Sequence, residues 1–182
     1  QAKNLGVTFV NGKVCNVKNE TKHFQVVLTE DTVYEAKTVL LATGLKDNLP
    51  SYANMYPCLG KTIYVCPDCD GYEVKGRKTI VLGSGDVGAK MALTLHYWTK
   101  DIIFINDGQK QVGEENLLHM KEKNIQFIDQ SVKSILAEEG KFFGVVLVDG
   151  NEIKAERGFV AYGGNEVKSE LASQLGVEML MN

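Results

Sequence analysis

The sequence is short of most features that mark a specialised chain. Four cysteines in 182 residues, at positions 15, 58, 66 and 69, are too few for a disulfide-stapled secreted scaffold. No apolar run approaches the roughly 20 residues that a membrane-spanning helix needs, and no signal peptide opens the chain. Neither sign of charge dominates. Twenty basic against 23 acidic residues leave a net charge of −3. That argues against nucleic acid or an anionic membrane as the main partner, since either wants a basic face. There are no repeats and no low-complexity tracts. The three histidines, His23 in a polar strand, His96 on the polar side of a helix and His119 in a charged helix, read as solvated side chains. The composition, 44% hydrophobic and 24% charged, is that of an ordinary globular protein, and the sparse cysteines with one close pair read as those of a cytoplasmic one. The length allows one domain and part of another. The chain opens at Gln1 rather than Met, so the N-terminus reads as cut.

The pattern divides near residue 50. Val7 to Val17, His23 to Thr29 and Thr32 to Leu41 are β-rich runs, broken by Asn11-Gly12, Asn16 to Thr21 and Glu30-Asp31. Asn48 to Gly60, with Pro50, Pro57 and Gly60, reads as a linker. Beyond it Thr79–Leu82 is a buried-type strand. Val87 to Trp98 has helical spacing, with Val87, Met91, Leu95 and Trp98 on one face. Ile102–Ile105 is a strand, Glu114 to Lys123 a helix and Ile125 to Ile128 a strand. This β-α-β-α-β alternation predicts an α/β fold, a parallel sheet with helices packed on it. Val132 to Ile135, Phe142 to Val148 and Glu152 to Ala155 predict an antiparallel β appendix turned at Asp149-Gly150. Phe159 to Tyr162 returns as a strand. Val167 to Leu175 reads as a short helix ended by Gly176.

Gly83-Ser84-Gly85-Asp86-Val87-Gly88 is a G-x-G-x-x-G run. Such a run alone is weak evidence, but this one follows a strand and opens a helix inside a βαβ unit. Gly83 allows the tight turn, Gly85 lets the backbone approach a pyrophosphate, and Gly88 lets helix and strand pack closely. The helix N-terminus offers free N–H groups to the phosphates. Asp107 lies at the end of the next strand, at the spacing of the carboxylate that binds an adenosine ribose; the alternative is a solvated loop carboxylate. Lys110 is the one basic residue between Asn106 and Gly113, so charge favours NADH over NADPH.

Cys66-Pro67-Asp68-Cys69 is a C-x-x-C pair, which can close a small disulfide ring. The rival is half a zinc site. Zinc needs four ligands, and Cys15 and Cys58 stand alone with no C-x-x-H or H-x-x-H pattern. The redox reading is therefore preferred, and no metal is expected.

Taken together these motifs resemble the thioredoxin reductase family of pyridine nucleotide-disulfide oxidoreductases. The most specific element is Cys66-Pro67-Asp68-Cys69-Asp70-Gly71-Tyr72-Glu73, ahead of the glycine turn as in that family. Leu41-Ala42-Thr43-Gly44 resembles the crossing from its flavin domain, and Val160-Ala161-Tyr162-Gly163 the return. The resemblance implies a Rossmann-like NAD(P)H-binding domain at 50–163 with an antiparallel β appendix. It also implies a partial FAD-binding domain of β-strands at 1–49 and a return segment at 164–182. Cys66 would attack the substrate, Cys69 would face the flavin, and Asp70 would handle the thiol proton. The cofactor-contacting residues would be Gly83, Ser84, Gly85, Asp86, Val87, Gly88, Asp107, Gly163, Thr43 and Gly44.

The intact enzyme would pass electrons from NAD(P)H through FAD to the Cys66–Cys69 disulfide. The recipient would be a thioredoxin-like protein or a small-molecule disulfide. A homodimer is implied. Only one G-x-G-x-x-G is present, so FAD is expected in the intact protein and not in this chain alone, which would be inactive. Ile105-Asn106-Asp107-Gly108 replaces the family's basic phosphate cluster, and Pro67, Tyr72 and Glu73 point to the branch acting on small dithiols. The alternatives are a flavin-free nicotinamide-binding redox sensor and a zinc-stabilised module.

Overall fold

A computed structural model describes residues 1–179, which form two compact units. The first unit comprises Gln1–Lys46 and the segment from Glu166 onward. Its β1 (Val14–Asn19), β2 (Phe24–Leu28) and β3 (Val33–Ala36) form an antiparallel sheet in that order. The sequence runs 7–17 and 32–41 were expected to be strand throughout. Both are cut short because β2, their shared partner, has only five residues to pair with. Val7, Phe9 and Val10 are left exposed. β4 (Leu45–Lys46) follows.

The second unit, Asp47–Asn165, has three layers. In chain order it contains β5 (Ile63–Tyr64), α1 (Pro67–Asp70), β6 (Thr79–Gly83), α2 (Gly85–Leu95), β7 (Ile102–Ile105), α3 (Glu114–Glu122), β8 (Gln126–Ile128), β9 (Val132–Glu138), β10 (Lys141–Leu147), β11 (Glu152–Lys154) and β12 (Arg157–Ala161). The central sheet is parallel with order β5-β12-β6-β7-β8. Every residue of β6 and β7 is buried, as expected of strands covered on both faces. On one face Val81, Phe104 and Phe159 meet Ala89, Ala92 and Leu95 of α2 and Met120 of α3. On the other, Ile80, Leu82, Ile103 and Ile105 meet Ile135, Phe142, Val145 and Leu147 of the antiparallel β9–β11 sheet. Asp149 caps the β10–β11 turn, its carboxylate accepting from the Asn151 backbone N–H at 2.9 Å.

Three expectations change here. Residues 48–60 are not a bare linker: Met55 and Cys58 are fully buried in the core beneath the β9–β11 sheet. Val87 does not face the core and is 48% exposed. The buried side of α2 is Gly85, Gly88, Ala89, Ala92 and Leu95, whose small residues bring the helix close to the sheet. The helix expected over 167–175 is in fact β13 (Glu166–Val167), paired with β4, followed by α4 (Glu170–Gln174). Both belong to the first unit.

Candidate active site

Strand order reverses between β6 and β12: β7 and β8 run outward on one side, β12 and β5 on the other. In open parallel sheets such a reversal leaves a crevice beyond the strands' carboxyl ends, where ligands bind. The glycine turn lies at this place. Each glycine has a steric reason. A Cβ on Gly83 would stand 2.6 Å from the Ala161 carbonyl oxygen and 2.7 Å from Gly88 Cα. One on Gly88 would stand 2.3 Å from the Phe104 ring. Gly85 has a φ of +56°, and its Cβ would meet the Gln111 carbonyl oxygen at 2.9 Å. Gly85 is therefore required by the loop that follows β7, in addition to any ligand.

That loop is fastened to the turn by two side chains. Asn106, 2% exposed, accepts a hydrogen bond from the Gly85 N–H (2.8 Å). It donates to the Lys110 carbonyl (2.9 Å) and to the Asp129 carboxylate (2.7 Å). Asp86 accepts from the Gly113 N–H (2.8 Å) and from Asn116 (2.7 Å). These two hydrogen bonds, the Gly113 one first, hold its carboxyl below the usual carboxylate range. Ser84 Oγ is buried at the turn without a hydrogen-bond partner, an uncommon state for a hydroxyl.

Beside the turn is a cleft of about 90 Å³. Val65, Val87, Met91, Tyr162, Gly163 and Asn165 contribute to its lining. Gly163, with φ +68°, comes so near Val87 that a Cβ would stand 3.1 Å from Val87 Cγ2. Asn48 Nδ2 donates to the Gly163 carbonyl at 2.9 Å, and the Asn48 N–H donates to Asn165 Oδ1 at 3.1 Å. An apolar wall with a few fixed amides suits a planar, amide-bearing ring. The residues present thus fit a dinucleotide by two observations, the orphaned Ser84 hydroxyl and this cleft at the strand-order reversal.

Asp107 is placed elsewhere. Its Oδ1 accepts from the Val132 N–H (2.6 Å), and its Oδ2 accepts from the Tyr52 hydroxyl (2.8 Å) and the Tyr162 hydroxyl. The carboxylate is directed into the β9 side of the sheet and is not the free loop carboxylate that a ribose contact needs. Burial, then the hydrogen bond to Asp107, pushes both phenols above their ordinary value. Strand alternation explains the reversal. Asn106 follows Phe104 toward the α2 face, and Asp107 follows Ile105 to the other. Asn106, Val65, Met91, Asn48 and Asn165 were not singled out from the sequence. Asn106 was accessible there, since period-2 alternation from Phe104 puts it on the face of the glycine turn.

Cys66 comes directly after Val65, a residue of the cleft wall. It caps α1, its sulfur accepting from the Cys69 N–H at 3.3 Å. The sulfurs share a hydrogen bond at 2.8 Å and both are free thiols. That hydrogen bond, followed by the nearness of the Cys66 sulfur, slight burial, Asp70 and Asp68, pushes the Cys69 thiol up. Cys66 is half-buried and Cys69 exposed. Among the described residues no group of His, Cys, Asp or Glu is arranged to hold a metal ion. No helix of the described residues is long and apolar enough to cross a membrane.

In the first unit, the Thr43 hydroxyl donates to the Lys168 carbonyl. The Lys168 N–H donates to the Gly44 carbonyl at 3.0 Å, and Gly44 has φ +64°. Both flavin-contact candidates are thus engaged in joining β4 to β13.

A glycine turn of the dinucleotide type, a cleft at the strand-order reversal and an adjacent pair of free cysteines thus stand together in the second unit. The family model for pyridine nucleotide-disulphide oxidoreductases matches residues 1–182, and the chain belongs to that family. Within it, its relatives include thioredoxin reductases. It is 26% identical to a thioredoxin reductase of Listeria monocytogenes over 157 residues, 83% of this chain and 49% of that protein. It is 28% identical to the 34.2 kDa protein in the rubredoxin operon of Clostridium pasteurianum, over 81% of this chain and 50% of that protein. Among solved structures, HlmI superposes with a TM-score of 0.85 at 27% identity, covering 97% of this chain and 56% of HlmI. T. acidophilum thioredoxin reductase gives 0.65 at 25% identity, covering 92% and 57%. The chain spans about half the length of the curated relatives it matches.

Proposed function

We propose that this chain supplies the nicotinamide and dithiol portion of an FAD-dependent oxidoreductase, which carries electrons from NAD(P)H by way of the flavin to the Cys66–Cys69 disulfide and on to a substrate disulfide. The observation that carries the reading is the adjacency of the cleft wall and the redox pair, Val65 lining the one and Cys66 beginning the other. When bound, the nicotinamide supplies two electrons as hydride and the flavin accepts them.

The chain's own residues do the rest. The Gly83–Gly88 turn and the Ser84 hydroxyl hold the pyrophosphate side. Val65, Val87, Met91 and Tyr162 exclude water from the ring, and Asn48 and Asn165 fix the cleft's polar edge. Cys66, its sulfur oriented by the Cys69 N–H, is the attacking thiol. Cys69 retains its proton until it resolves the mixed disulfide. Asp70, next to Cys69, handles the thiol proton. Thioredoxin or a small disulfide is the proposed substrate, and the homodimer of the resemblance remains part of the proposal.

Peptide mapping with NADH or NADPH titration tests the reading on the chain itself. One reversible disulfide between Cys66 and Cys69 is expected, together with dinucleotide binding that Met91→Trp weakens by filling the cleft. A chain that binds neither dinucleotide would remove the nicotinamide role. Stoichiometric zinc lost with Cys66→Ser would replace the dithiol with a metal site.

A further inference from the structure

The redox pair sits in an acidic stretch of the chain. Between Lys61 and Lys75 there is no basic residue and there are three carboxylates, Asp68, Asp70 and Glu73. Asp68 and Asp70 lie in the same turn as Cys69, and Glu73 lies in the 3-10 turn that continues it. None of the ion pairs among the described residues involves any of the three. Arg77, the nearest arginine along the chain, is already paired with Glu156 at 3.2 Å. The field of the carboxylates reaches the sulfurs, since Asp70 and Asp68 both help to push the Cys69 thiol up.

Exposed aromatic rings stand next to this collar. Tyr72 is 58% exposed and Tyr97 79%. Gly71 lies so close to Trp98 that a Cβ there would be 2.4 Å from Nε1. Tyr97 stands edge-on to the Trp98 ring at 4.9 Å between centroids. The patch therefore runs on from the dithiol turn. Aromatic faces attract ammonium and guanidinium groups and offer carboxylates nothing comparable.

We propose that the Cys66–Cys69 pair selects its substrate by charge, reducing disulfides whose sulfurs are flanked by cationic groups and discriminating against anionic ones. The selectivity rests on the dithiol reading given above. The Cys66 sulfur, as thiolate, attacks one sulfur of the substrate. The substrate S–S bond breaks, a mixed disulfide forms and the first substrate thiolate leaves and takes up a proton. Cys69 gives up its proton and attacks the Cys66 sulfur, releasing the second substrate thiol. The protein dithiol is oxidised by two electrons and the substrate disulfide is reduced to two thiols. An ammonium group near the attacked sulfur lowers the energy of both charged stages, and a carboxylate raises it.

The test is thiol–disulfide exchange by the reduced chain with three probes: cystamine, 2-hydroxyethyl disulfide and oxidised glutathione. Each rate constant is divided by that of dithiothreitol with the same probe, which removes intrinsic reactivity. One unit charge about 7 Å away in water is worth about threefold. Three carboxylates should therefore separate cystamine from oxidised glutathione by more than about tenfold at low salt. The separation should shrink toward unity at about 0.5 M salt, where screening acts within a few ångströms. The double variant Asp68→Asn, Glu73→Gln should reduce the ratio of the cystamine rate to the neutral-probe rate by about threefold or more. Exchange with the neutral probe but no order among the three would overturn the charge selectivity and leave the dithiol reading intact. A reduced pair that exchanges with none of the probes would overturn the dithiol reading and the selectivity with it.

Discussion

Asp107 separates two accounts of the same residue, a ribose contact and an internal strut. The strut account makes a quantitative prediction. Asp107→Ala removes the acceptor from the Val132 N–H, the Tyr52 hydroxyl and the Tyr162 hydroxyl together. A buried donor left without an acceptor costs about 1–3 kcal/mol. Asp107 is only half-buried, and water can reach part of the space, so the three losses sum to about 3–4 kcal/mol rather than the full total. With a urea slope of about 2 kcal/mol/M, the unfolding midpoint should fall by about 1.5–2 M. Asp107→Asn keeps an oxygen for Val132 and lets the hydroxyls rotate to accept from the amide, so about 1–2 kcal/mol is expected. The assay is equilibrium urea unfolding followed by tyrosine and tryptophan fluorescence, with NADH and NADPH titrated against the folded variants. A large loss of stability with the NADH-to-NADPH affinity ratio unchanged is the expected result. If Asp107→Ala unfolds at the wild-type midpoint and its dinucleotide preference shifts, the carboxylate faces the ribose and the hydrogen-bond assignment fails.

Three further predictions come from the same geometry. Gly88→Ala puts a methyl group 2.3 Å from the Phe104 ring, so α2 must lift from β7 at a cost of about 1–3 kcal/mol or more; an unchanged melting temperature would contradict this packing. Tyr52 and Tyr162 hold their protons more tightly in the folded chain than the ordinary phenol value of 10.0. Above about pH 10 the unfolded chain therefore binds fewer protons, and stability falls as pH rises. The Tyr52→Phe, Tyr162→Phe double variant should lose less between pH 9 and 11 in urea unfolding, and equal losses would refute the assignment. Because the shared hydrogen bond with Cys66 raises the Cys69 thiol, iodoacetamide labelling of Cys69, mapped by mass spectrometry, should set in at higher pH than for free cysteine. Removal of that partner in Cys66→Ser should move the onset down.

The parallel core was legible because it is written as uninterrupted apolar runs. Thr79–Leu82, Ile102–Ile105 and Phe159–Ala161 can be satisfied only by strands covered on both faces. The β10–β11 hairpin was legible from Asp149-Gly150. β5 was not, since Ile63–Tyr64 is too short to carry any period, and its place depends on pairing with β12, nearly 100 residues away. Met55 and Cys58 were hidden by the prolines around them, although two such residues in a solvated linker would have been hard to justify. The buried face of α2 is made mostly of small residues, which carry little hydrophobic signal in a sequence. The glycines and alanines set the contact, and Val87 and Met91 were left for the cleft. For the site, the glycine turn and the cysteine pair stood out as local motifs. Asp107 was found by distance along the chain, which gives a residue's position but not its side of the sheet. Asn106, its neighbour, holds the contact with the turn.

Transfer of electrons between the two motifs is the most direct test, measured on the polypeptide as the cell makes it. Under anaerobic conditions, one equivalent of NADH or NADPH should be oxidised and two thiols should appear, mapped to Cys66 and Cys69. Cys69→Ser should abolish their appearance while dinucleotide binding persists. Oxidation of the dinucleotide with the Cys66–Cys69 disulfide left intact would contradict the account.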